Sequence, residues 1–149
     1  RTGDVKNVES NATSDSEYAA DTLAIINIVN ESMEIAGASC IYSGEAIEKS
    51  ESNEKIRQRY IPNGEGKATF NDGRYYQGSF VYGSMDGDNA YFVYPNGDTY
   101  EGSFKDNHFS KGTYTVKATG EQFTGTFDSY GQPKKGSWYD KNGNFLQSV

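Results

Sequence analysis

The feature that most constrains this chain is a triplet that recurs at nearly constant spacing. An aromatic-x-Gly-x-Phe run appears as Tyr76-Gln77-Gly78-Ser79-Phe80, Tyr100-Glu101-Gly102-Ser103-Phe104 and Phe123-Thr124-Gly125-Thr126-Phe127. The central glycines Gly78, Gly102 and Gly125 are 24 and 23 residues apart. Such a period marks a stack of small supersecondary units, each too small to bury its own apolar face. A second register of glycines lies just upstream, at Gly73, Gly97, Gly120 and Gly143, three of them preceded by Asn or Asp. Asx-Gly between β-prone runs is the strongest short-range hairpin signal, because the turn requires positive φ. Each unit therefore reads as strand, turn, strand, with first strands at Lys67 to Phe70, Tyr91 to Tyr94, Thr113 to Val116 and Ser137 to Tyr139, and a degenerate last unit ending in Phe145-Leu146-Gln147.

A strand alternates its side chains between two faces. Tyr76, Gly78 and Phe80 share one face, and Gln77 and Ser79 the other. The first is aromatic and the second polar. The central glycine leaves a gap in the aromatic face into which a ring from a neighbouring strand can fold. The expected fold is mainly β: an elongated, twisted antiparallel sheet of successive hairpins. Tyr76, Phe80, Tyr100, Phe104, Phe123, Phe127 and Trp138 form a row that is either core or binding groove, and Gly78, Gly102 and Gly125 define the repeat.

These residues resemble the MORN family, whose repeat begins Tyr-x-Gly and ends in an Asn-Gly or Asp-Gly turn. The best match runs from Tyr76 to Gly97, with Tyr76, Gly78, Phe80, Gly83, Gly87 and Gly97 at the family's offsets and Asn89 where its mid-repeat Gly-x-Gly has a second glycine. That Gly-x-Gly is intact one unit earlier, as Gly64-Glu65-Gly66. The resemblance covers about Pro62 to Val149, and Tyr42-Ser43-Gly44-Glu45 is similar to an outlying repeat start. It implies scaffolding, a protein partner or self-association through the sheet, with phospholipid contact also proposed for such arrays. A second resemblance, of Gly136-Ser137-Trp138-Tyr139-Asp140-Lys141-Asn142-Gly143 to choline- or cell-wall-binding repeats, implies a glycan ligand. Those modules carry Trp in nearly every repeat, whereas Trp138 is the single Trp here.

Charge limits the partners. The formal net charge is -7, with 6 basic and 11 acidic residues before Pro62 and 8 and 10 from there on. Nucleic acid is excluded as a partner and direct membrane binding by the repeats disfavoured, since both draw on clustered Lys and Arg.

Residues 1–15 are polar, rich in Ser, Asn, Asp and Thr, and read as a disordered tether. Such a tether fits an extracytoplasmic or membrane-anchored bacterial protein; the single Cys40 fits that setting or a reducing one. Residues 16–61 read as a cap. Within it, Ser16 to Gly37 has a helical stripe (Leu23, Ile26, Asn30, Met33), with Ser16 or Asp21 as N-cap and Gly37 as terminator; the alternative is a strand over Leu23 to Val29. Ala38 to Ile47 and Glu54 to Ile61 alternate as a hairpin about Ser50 to Asn53, or else form an exposed helix. Residues 62–149 are the array. An aromatic face must be covered, and the expected cover is the helix, with Leu23, Ile26 and Met33 directed at Phe70, Tyr76 and Phe80.

Little in the chain points to chemistry. His108 is the single histidine and reads as a solvated loop residue, Cys40 as a buried thiol, and Asp86-Gly87-Asp88-Asn89 and Asp140-Lys141-Asn142-Gly143-Asn144 as turns without the bidentate Glu of a calcium loop. No catalytic residue, cofactor or metal is expected, and the chain reads as a module rather than an enzyme.

Overall fold

The computed structural model describes residues 24–49 and 59–149. They form one antiparallel meander of eleven strands: β1 (Ile25–Ile35), β2 (Ala38–Glu48), β3 (Tyr60–Phe70), β4 (Tyr75–Val81), β5 (Ser84–Met85), β6 (Gly87–Val93), β7 (Thr99–Lys105), β8 (His108–Thr115), β9 (Gln122–Phe127), β10 (Pro133–Tyr139) and β11 (Phe145–Ser148). Neighbours in sequence are neighbours in the sheet, except that the short β5 pairs with β4 off the main path and β4 pairs onward with β6. The first 15 residues and the Ser50 to Asn53 turn lie outside the described residues.

The N-terminal segment is a strand and not the expected helix. Ile25–Ile35 pairs with β2 from Ile25↔Ile47 to Ile35↔Ala38, which extends the sheet instead of covering it. Its β-branched residues prefer the pleated surface. The helical stripe arises because a bulge opposite Ser43 adds one residue and shifts the alternation; Asn30 sits in it at φ 54° and its N–H donates to Ser43 Oγ at 2.8 Å. With the bulge counted, Ile26 and Ile28 on one side of it and Met33 and Ile35 on the other all reach the aromatic face. Leu23 lies outside the described residues.

Two classes of turn close the hairpins. Ala36-Gly37, Tyr82-Gly83 and Asp106-Asn107 are two-residue connections with positive φ at both positions, the backbone that matches strand twist. The Gly73, Gly97 and Gly143 loops are longer. In each the glycine N–H bonds a carbonyl three residues back, as Gly73 to Phe70 and Gly97 to Tyr94, both at 2.9 Å. Further bonds tie one unit to the next. The Tyr82 N–H donates to Asn63 Oδ1 at 2.9 Å, Met85 and Asn107 exchange two bonds at 2.7 and 2.9 Å, and the Lys117 N–H donates to Asp98 Oδ1 at 2.9 Å.

The core is a zipper of rings. Phe80 lies between Tyr42 and Tyr76 with centroids at 5.2 and 5.0 Å, and Phe104 between Tyr76 and Tyr100 at 4.9 and 5.6 Å. Phe127 lies between Tyr100 and Phe123, at 5.3 Å from each, and Trp138 follows at 5.5 Å. Every pair up to Phe127–Phe123 is edge-to-face, the arrangement favoured by the ring quadrupole, at about 0.5–1.5 kcal/mol per pair beyond area burial. Each phenylalanine thus belongs to two units.

Glycines make room for this. Gly44, Gly66 and Gly78 lie opposite one another across β2, β3 and β4, as do Gly102, Gly112, Gly125 and Gly136 across β7 to β10. Each tyrosine lies down over this row, donating its hydroxyl to the carbonyl three residues on: Tyr42 to Glu45, Tyr76 to Ser79 and Tyr100 to Ser103, the last two at 2.7 Å. The ring at Gly44, Gly78 and Gly102 starts on the same strand, two residues earlier, whereas at Gly66, Gly112 and Gly136 it comes from the neighbouring strand. Tyr42-Ser43-Gly44-Glu45 repeats this geometry with Ala46 in the phenylalanine position, so the repeated unit begins at β2, upstream of Pro62.

Candidate functional site

The row singled out from the sequence is core. Tyr76 and Tyr100 have no exposed surface, Phe80, Phe104, Phe123 and Phe127 are buried, and Trp138 is half-buried against Phe123. The separate covering layer expected over them is not present among the described residues. The rings bury one another by lying along the strands, and the sheet curls inward: Ala36 of the first hairpin and Tyr130 of the β9–β10 turn border one 160 Å³ hollow over Phe92, Phe104 and Phe109. The buried hydroxyls of Tyr42 and Tyr76 are pushed well above the usual phenol range by burial, and secondarily by carboxylates including Glu65.

The residues weighed for chemistry stay apart from one another. Cys40 is buried, which pushes its thiol up to about 11, and His108 is exposed beside the Asp106-Asn107 turn. Among the described residues no group of three or more His, Cys, Asp or Glu side chains is placed to hold a metal ion, and no helix is long and apolar enough to cross a membrane. The two calcium-like stretches act as turn staples. Asp86 Oδ2 accepts the Asp106 N–H at 3.0 Å, and Asp140 Oδ1 accepts the N–H groups of Asn142 and Asn144, both at 2.9 Å. Those bonds hold the Asp140 carboxyl below its ordinary range.

The surface that remains is the outer face. One cross-strand row on it runs Lys67, Gln77, Tyr91, Glu101, Thr113, Thr124, Ser137; the next runs Thr69, Tyr75, Val93, Thr99, Thr115, Gln122, Tyr139. Threonines dominate the C-terminal half, and the Oγ1 atoms of Thr113 and Thr124 are 3.1 Å apart. Over β6 and β7 the face is indented by a groove of 380 Å³ lined by Asn89, Ala90, Tyr91, Glu101 and Gly102. A register break in β6 between Gly87 and Ala90 accompanies it. Tyr91 is 38% exposed there, and Tyr75 stands diagonally across from it with its hydroxyl donating to Gln77 Oε1 at 2.9 Å.

Reading the aromatic spacing alone does not single out these outer residues. The usable signal is two adjacent aromatic pairs in opposite phase, Tyr75-Tyr76 and Tyr91-Phe92, where one ring of each pair has to leave the core.

Neither a known family model nor a curated protein matches this chain.

Proposed function

We propose that this chain is a non-catalytic protein-interaction or scaffolding module of the MORN-like kind, the exposed part of a surface or membrane-anchored bacterial protein. The observation supporting the repeat reading is the shared joint: the same Tyr-over-glycine seat, the same hydroxyl-to-carbonyl bond and the same shared phenylalanine recur from Tyr42 to Tyr100. A joint of this type adds units in one dimension and yields a long, stiff face whose chemistry varies from unit to unit. The interior is committed to packing, so recognition belongs to the outer face and the turns. The acidic balance of the chain argues against the phospholipid role.

The test is affinity capture with the intact chain as bait, compared with a bait carrying Thr113→Arg and Ser137→Arg on the outer face. A partner retained by the first and lost from the second supports the reading; a partner indifferent to both substitutions counts against it. Co-sedimentation with vesicles of anionic phospholipid is expected to be negligible. Strong, salt-sensitive binding would overturn the ranking of protein over lipid.

A further inference from the structure

The repeat accounts for the aromatic rings on the inner face, and it leaves three on the outer face, Tyr139 beside Phe145 at the C-terminal end and Tyr75 and Tyr91 in the middle of the sheet. Positions equivalent to Tyr91 in the other units, read from strand register, hold Lys67, Thr113 and Ser137; those equivalent to Tyr75 hold Thr99, Gln122 and Phe145. The fold is therefore built with small or hydrophilic side chains at most of these sites. Tyr75 and Tyr91 come from adjoining units and are diagonally adjacent across β4 and β6, beside the 380 Å³ groove. The groove is shallow and open, a shape that suits a ligand held by one face.

Its polar groups are of both kinds. The Asn89 amide, the Glu101 carboxylate and the Tyr91 hydroxyl have no side-chain hydrogen bond or ion pair among the described residues, so they are available to a ligand. Gln77, on the other flank of Tyr91, keeps its NH2 group free while its Oε1 accepts from Tyr75. A ligand matched to this set has a flat apolar face for the rings and a rim of hydroxyls that both donate and accept. Vicinal hydroxyls can donate together to the carboxylate, and the amides supply the complementary donors. A cation would use Glu101 and the rings but leave the amide N–H donors idle, and Lys67 in the same cross-strand row opposes it.

We infer that the outer face of β4, β6 and β7 is a carbohydrate-binding subsite for a neutral pyranose, with Tyr91 and Tyr75 as the stacking platform and Asn89, Glu101 and Gln77 as the hydroxyl-reading groups. The inference goes beyond the scaffolding reading, which stands or falls separately on partner capture.

The experiment uses the intact chain, isotopically labelled, titrated with soluble trisaccharides of glucose, mannose and N-acetylglucosamine, and separately with choline and a lysine-rich peptide. At least one trisaccharide is expected to shift backbone amide signals at Tyr75, Gln77, Asn89, Tyr91 and Glu101. Tyr91→Thr and Tyr75→Thr import a residue type already used at equivalent sites, so each is expected to keep the native melting temperature and lose roughly tenfold or more in sugar affinity. Tyr130→Ser, on a remote exposed turn, is the control and leaves affinity unchanged. Three outcomes overturn the inference: no trisaccharide shifts these signals, the shifts survive both threonine substitutions, or choline or the peptide occupies the groove while sugars do not.

Discussion

A methyl group added at Gly66 tests the central joint directly. Gly66 lies in β3 with Gly44 and Gly78 on either side, and the three heavy atoms nearest to a Cβ built there all belong to the Tyr42 ring, two of them at 2.5 and 2.6 Å. Gly66→Ala therefore forces Tyr42 off its seat. Overpacking of this kind costs about 1–3 kcal/mol. Losing the Tyr42 hydroxyl bond to Glu45 adds about 1 kcal/mol, and disturbing the ring pair with Phe80 about 0.5–1.5 kcal/mol. The expected total is about 3–5 kcal/mol, a large fraction of the stability of about 5–15 kcal/mol usual for a domain. In a Tyr42→Ala background the obstruction is gone, and an alanine in a strand gains about 0.5–1 kcal/mol over glycine. The double-mutant cycle should give a coupling of about 3.5–6 kcal/mol, from urea denaturation followed by far-ultraviolet circular dichroism. Gly102→Ala is the contrasting case. Its Cβ would meet backbone, the Gly112 Cα and the Lys111 carbonyl, both at 2.5 Å, so removing Tyr100 should rescue nothing. If Gly66→Ala costs the same with and without the Tyr42 ring, the ring does not lie across that glycine and the account of the zipper is wrong.

Other expectations follow from the same packing. Phe104→Ala, which removes a ring shared by two units, should cost about 3–5 kcal/mol, while Phe145→Ala on the exposed last strand should stay within about 0.5 kcal/mol; equal effects in chemical denaturation would remove the distinction between core and edge. Deleting residues 1–37 takes away β1 with buried Ile28, Met33 and Ile35 and leaves β2 as an edge, so the melting temperature should fall and light scattering should show association; an unchanged, monomeric protein would refute the placement of β1. The hydroxyls of Tyr42 and Tyr76 have folded-state pKa values above the unfolded value of 10.0, so their neutral forms stabilise the fold fully below that pH. As pH rises past it the unfolded chain ionises first and stability drops; tyrosinate absorbance from these rings should therefore appear together with unfolding, and smooth titration of every tyrosine near pH 10 in the folded state would contradict their burial. Cys40, with its thiol raised to about 11 by burial, should react with a disulfide reagent only when urea opens the chain.

The sequence by itself determined the hairpin array and its period, because Tyr-x-Gly-x-Phe and the Asx-Gly turns act through local rules: period-two alternation and the backbone freedom of glycine. It also placed Tyr76, Phe80, Tyr100, Phe104, Phe123 and Phe127 together on one face. Three things were decided only in the tertiary structure. The segment from Ile25 to Ile35 looks helical in one dimension because a single bulge residue, Asn30, breaks its alternation, and only pairing with β2 reveals the extra residue. Whether the rings form a groove or a core depended on their tilt, and tilt is set by the absence of Cβ atoms on the neighbouring strands at Gly66, Gly112 and Gly136, which are distant in sequence from the rings they accommodate. The outer-face meeting of Tyr75, Tyr91, Asn89 and Glu101 depends on the register between β4, β6 and β7, including the break at Gly87. Register couples residues through space, and a one-residue shift would have sent these side chains to the opposite face.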